Sequence, residues 1–144
     1  MAPSTPTEFR KESTNSSRSW SNATSRMHVT WSGAVVHATF VGHGDGAFAA
    51  FYAEAADPIR KQHGRLHAFF DAFEMTSYDS QMRTGITDYF RHNLKQVASL
   101  EVGARSRLVA MGATVANVVL GGMIKLHNTP EDFQRALKSA KMAA

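Results

Sequence analysis

The chain has 144 residues, 16 Lys and Arg against 12 Asp and Glu, a net charge of +4, and no cysteine. That is one domain's worth of sequence, long enough to bury a core unaided, and it excludes disulfides, thiolate metal sites and thiol nucleophiles. The mild, scattered basic excess forms no stripe of the kind that tracks nucleic acid, and the uncharged run from Leu108 to Ile124 is shorter than the roughly 18–20 residues of a membrane span.

Residues 1–24 are rich in Ser, Thr, Asn and Pro, with Phe9 and Trp20 as their large apolar groups. Such a segment buries too little to offset its ordering entropy, so a disordered tail is expected there, followed by a folded domain over 25–144. With no apolar leader in that tail, a cytoplasmic location is expected. Arg26–Trp31 and Ala34–Val41 read as strands joined through Ser32-Gly33. That register sets Trp31 against Ala34, Val29 against Val36 and His28 against His37.

Gly42-His-Gly-Asp-Gly46 reads as a turn with Asp45 as a helix N-cap. Phe48, Phe51, Tyr52, Ala55 and Ile59 recur at helical spacing up to about His63; Pro58 is expected to kink this helix and Gly64 to stop it. Leu66–Met75 is apolar on both faces, as a central strand would be. Tyr78-Asp79-Ser80 then opens a helix from about Gln81 to Val97, striped by Met82, Ile86, Tyr89, Phe90 and Leu94. Ser106–Ala113 reads as a strand, Val115–Val119 as a short helix ended by Gly121-Gly122, and Met123–His127 as a strand. Thr129-Pro-Glu-Asp132 marks the start of the last helix. The implied fold is an α/β single domain with a mixed, mostly parallel sheet of about four to five strands, an N-terminal hairpin and about four helices.

In this order of elements the chain resembles the STAS domain, the family of the bacterial anti-sigma-factor antagonists, over about Arg26 to Ala140. The pieces that carry the resemblance are Tyr78-Asp79-Ser80 at the start of a helix, Arg107-Leu-Val-Ala-Met-Gly112 before Val115–Leu120, and Leu126-His-Asn-Thr-Pro-Glu-Asp-Phe-Gln-Arg-Ala-Leu137. The resemblance implies a STAS-like fold and a non-enzymatic regulatory module with Ser80 as the phosphorylation candidate. A protein partner, of the regulatory kinase or anti-sigma kind, would be met by Tyr78, Asp79, Gln81, Arg83, Thr84 and Arg91. Here Gln81, Met82 and Arg83 replace the small, Gly-rich continuation usual in that family. The plainer reading of Asp79-Ser80 is a helix cap.

Three other chemistries are weighed beside this one. Gly42-x-Gly44 after a strand, with Asp71 in the next strand, has the order of a nucleotide-binding unit, but Asp45 sets a negative charge where a phosphate would lie. Lipid-carrier domains share the STAS architecture, so a lipid or small apolar ligand is the alternative occupant. Phe69, Phe70, Phe73, Met75, Met82, Met111 and Met123 offer a lining for it or, more simply, a packed core. The seven histidines show no ligand spacing, and there is no Gly-x-Ser-x-Gly elbow. No metal, cofactor or catalytic residue is therefore assigned, and a homodimer is left open.

Overall fold

The computed structural model describes residues 8–143. The elements in order are β1 (Arg10–Ser13), β2 (Ser17–Ser21), β3 (Ser25–Ser32), β4 (Val35–Gly44), α1 (Phe48–His63), β5 (Leu66–Tyr78), α2 (Ser80–His92), β6 (Val97–Ala104), α3 (Arg107–Val119), β7 (Ile124–His127) and α4 (Pro130–Ala143). The strands lie in one seven-stranded sheet in sequence order. β1 to β4 pair antiparallel, and β4 to β7 pair parallel. The α/β class and the four helices are as expected; the sheet is larger than four to five strands, and half of its pairings are antiparallel.

The added strands come from the segment expected to be a disordered tail. Residues 1–7 lie outside the described part, but β1 and β2 extend the hairpin sheet outward. Trp20 is buried, stacked on Phe51 of α1, and Phe9 packs edge-on against the same ring. Composition misleads here because β2 presents serines on one face and needs only one large side chain on the other; the backbone ladder and that aromatic contact carry the rest.

β3 and β4 form a hairpin, but its turn lies one residue later, at Gly33-Ala34, so every partner is two residues further along. Ser32 pairs with Val35, Trp31 with Val36, Val29 with Ala38 and Thr30 with His37. Gly33, at φ 57°, is the first of the two loop residues, the position where a type II′ turn demands positive φ. His28 therefore faces Thr39, and His37 is its diagonal neighbour on the same face rather than its direct partner.

β5 is the axis of the domain. Leu66, Ala68, Phe70 and Ala72 are buried in the larger core with Phe40, Tyr52 and Phe90, under the first three helices. Phe69 and Phe73 point the other way, where α4 covers them with Phe133 and Leu137. A strand buried on both faces explains the unbroken apolar run. α1 runs unbroken through Pro58 and ends at Gly64, φ 69°.

Two elements between 93 and 119 differ from expectation. α2 stops at His92, with Asn93 bonding back to the Tyr89 carbonyl through both its backbone N–H and its side-chain amide. Residues 97–104 are then a strand, with Leu100, Val102 and Ala104 buried toward the helices. Residues 107–119 are one helix, not a strand and a short helix, and Ser106 caps it by accepting the Val109 N–H at 3.4 Å. Its buried positions, Val109, Gly112 and Ala116, are spaced helically but are small, while the large apolar residues lie elsewhere on the helix.

Candidate functional site

The parallel strands β4 and β5 end side by side, and the chain there leads into the N-termini of α1 and α2. β4 delivers His43, β5 delivers Ser77 and Tyr78, and Asp79 joins β5 to α2. The ends of parallel strands are where open α/β sheets most often place ligands.

A hydrogen-bonded chain occupies this edge. His43 Nδ1 lies 2.7 Å from Ser77 Oγ, and His43 Nε2 lies 2.8 Å from Asp79 Oδ1. The other oxygen of Asp79 accepts the Gly46 N–H at 2.9 Å. The bond from His43, reinforced by that of Gly46, holds the Asp79 carboxyl below its ordinary value. A neutral imidazole in this setting donates from Nε2 to Asp79 and accepts from Ser77 at Nδ1. The connectivity is that of an acid–base relay. The backbone donors of the β4–α1 turn are nevertheless committed, Gly46 N–H to Asp79 and Ala47 N–H to Asp45 Oδ1 at 2.8 Å. No pair of free N–H groups of α1 is left to hold an oxyanion. The network works as a latch between the β4–α1 turn and the start of α2.

The latch has a consequence for Ser80. Asp79 occupies the N-cap position with extended backbone, yet its side chain makes no capping bond to α2. Ser80 is the first helical residue and exposed, so it is not the cap. Among the described residues, nothing accepts the N–H of Ser80 or Gln81. The first turn also lacks an acid. Gln81 and Thr84 are exposed beside it, and Arg91 is exposed at the far end of α2. Tyr78 and Arg83 are half-buried and turn toward the interior, and Asp79 is fixed in the latch. The expected interaction set is thus split between an outer surface and an inner wall.

That wall bounds an apolar cavity of about 80 Å³ between the sheet and α2 and α3. Phe70, Met75 and Met82 line it, with Tyr78, Ile86 and Gly112. Of the other Met and Phe residues considered as a lining, Phe69 and Phe73 sit on the opposite face of the sheet and Met111 is exposed. The cavity exists because three of the four α3 residues turned toward it, Gly112, Ala113 and Ala116, are small; the fourth is Val109.

The glycine-rich segment does not build a phosphate loop. Gly42 and Gly44 remain in β4, paired with Met75 and Tyr78. Asp45 braces the turn before α1 by accepting the Ala47 N–H, but it is not the expected N-cap: that position is Ala47, which makes no side-chain cap bond. Asp71 lies mid-strand on the α4 face, 3.6 Å from His37 Nε2, so Gly42, Gly44 and Asp71 do not converge. On that same face His127 Nε2 meets Glu101 Oε1 at 2.7 Å, and His67 Nδ1 meets Ser99 Oγ at 3.0 Å. Burial, then the charge of Arg65, holds His67 below its ordinary value against the opposing pull of Glu101. Among the described residues no group of three or more His, Asp or Glu is placed to hold a metal ion, and no helix is long and apolar enough to cross a membrane.

Sequence reasoning missed His43 and Ser77. His43 lies inside the Gly42–Gly46 segment but has no role in that motif, and Ser77 lies outside any motif; the pairing of β4 with β5, which sets His43 opposite Ser77, is the feature that joins them. No family model matches the chain, and no curated protein is similar to it.

Proposed function

We propose that the chain is a non-enzymatic, cytoplasmic regulatory module, STAS-like in the manner of the anti-sigma-factor antagonists, whose protein partner docks on the start of α2. One observation carries this reading: the Asp79 carboxylate is drawn away from α2 by His43 and Gly46, leaving an exposed Ser80 hydroxyl beside unclaimed N–H groups. A phosphate on Ser80 would meet those donors at the positive end of the helix, so the fold would tolerate it while the surface changed sign. The neighbouring Gln81 and Thr84 are uncharged and suit a partner that reads the difference. A kinase of the anti-sigma type is the partner this chemistry fits.

The test uses Ser80→Ala and Ser80→Asp. Because Ser80 is not the cap, both variants should stay within about 0.5 kcal/mol of the parent. Ser80→Asp should bind a partner captured by the wild-type chain at least tenfold more weakly, and Ser80→Ala should bind it normally. Equal affinity for all three chains sinks the reading. The second reading, an apolar-ligand binder, rests on the cavity behind Tyr78 and Met82. It expects an extractable apolar molecule in the purified protein, and a cavity-filling Ala113→Leu change that prevents its uptake.

A further inference from the structure

α3 is built with its large residues facing outward. Leu108, Met111, Val115, Val118 and Val119 are 50–80% exposed, while Val109, Gly112, Ala116 and Leu120 face the sheet. The outer set is on the order of 500 Å² of apolar surface, at the upper end of what a monomer leaves uncovered. From Leu108 to Ile124 there is no charged residue. Helix and surface are also held rigid: the Asn117 side chain accepts the Ile124 N–H at 2.7 Å and donates to the Ile124 carbonyl at 3.3 Å.

We infer that this face is covered by the same face of a second copy of the chain, with the two α3 helices antiparallel about a twofold axis at Ala113. Three observations select that occupant. First, Leu108, Met111, Val115 and Val118 are spaced three, four and three apart, which is the seam of a two-helix coiled coil rather than the broad face of a core helix. Second, the seam is self-complementary. Antiparallel pairing about Ala113 sets Leu108 level with Val118 and Met111 level with Val115, the reciprocity that an isologous interface requires. Third, the charges fit. α3 has Arg107 at its N-terminal end, where its own dipole disfavours a cation, and no basic residue in its last turn. In the pairing, Arg107 stands level with Val119 of the second copy and supplies the cation that the end of that helix lacks. A lipid surface fits less well. The seam has no aromatic anchor, and α3 carries no cation between Leu108 and Val119.

About 500 Å² per copy is below the roughly 800 Å² of a standard interface, so the dimer is weak, with a dissociation constant in the micromolar range. Sedimentation velocity on the full chain, over a concentration series up to about 0.5 mM, should show monomer converting to dimer by mass action. Met111→Glu places two acids in the seam at a position already exposed in the monomer, and should weaken the dimer at least a hundredfold with unchanged circular dichroism. Because the chain is free of cysteine, Thr114→Cys tests the geometry directly. It lies beside the seam next to the proposed axis and should form a disulfide-linked dimer under mild oxidation, whereas the exposed Ser139→Cys on α4 should not. A wild-type monomer at every concentration overturns the inference, and its flotation with anionic vesicles would then assign the face to a membrane surface. A dimer indifferent to Met111→Glu, or equal cross-linking of the two cysteine variants, overturns it as well. None of these outcomes depends on Ser80.

Discussion

Replacing Trp20 by Ala tests whether the outer strands belong to the folded domain. Trp20 is 2% exposed, stacked on Phe51 at 5.1 Å with 4° between the ring planes, and paired across the ladder with Met27. A buried tryptophan withdraws up to about 250 Å² from water. Truncation to Ala therefore forfeits about 200 Å², or about 5 kcal/mol at about 25 cal/mol per Å². A compact unfolded chain lowers that by about 10–40%. The site lies between an outer strand and one helix, where neighbours can partly close the gap, so the expected loss is about 3–4 kcal/mol. That is a large share of a domain's roughly 5–15 kcal/mol, and corresponds to a drop in melting temperature of about 10 °C. Urea unfolding of wild type and Trp20→Ala measures the loss. Ser19→Ala, from the opposite face of the same strand, is the control and should cost under about 0.5 kcal/mol. A Trp20→Ala loss below about 1 kcal/mol would refute the docking of β1 and β2.

The remaining predictions concern the site and the α4 face. A Cβ at Gly112 would overlap the hydroxyl of Tyr78 and lie 2.8 Å from its ring carbon Cζ. Gly112→Ala should thus cost about 1 kcal/mol despite better helix propensity, with part of the loss recovered in the Tyr78→Phe background; thermal melts of wild type, the two single variants and the double variant decide it. His67 is held below its ordinary value of 6.5, so the unfolded chain takes up its proton first. Its contribution to stability is therefore complete above about pH 7 and falls as pH drops through 6.5 toward the depressed folded value. Urea midpoints for wild type and His67→Gln between about pH 7.5 and 5 should show a shallower slope in the variant, and parallel curves would show that His67 is not the group responsible. The Asp79 carboxyl, also depressed, stabilises the fold above the ordinary value of 3.8 and loses that effect as pH falls below it. The stability gap between wild type and Asp79→Asn should accordingly close in acid.

Much of the fold is legible where the chain repeats a pattern over many residues. The 3.6-residue spacing from Phe48 to Ile59, the doubly apolar run after Leu66 and the Thr129-Pro-Glu-Asp132 start each encode their element locally, and all three stand in the structure. Gly64 also acts as its type suggests, because positive φ is a property of one residue and its neighbours. Tertiary structure decided the rest. Trp20 belongs to the core because Phe51 lies over it, and the serines of β2 carry no trace of that partner. α3 conceals its helical period by burying Val109, Gly112 and Ala116 against the sheet while exposing leucine, methionine and three valines. The candidate site is the same case. Asp79-Ser80 is visible as a local motif, but that neither side chain caps α2, and that Ser80 is left free, follows from His43 on another strand holding the Asp79 carboxylate. A sequence determines conformational preferences over a few residues; the partner that satisfies a given carboxylate is chosen by the pairing of distant strands.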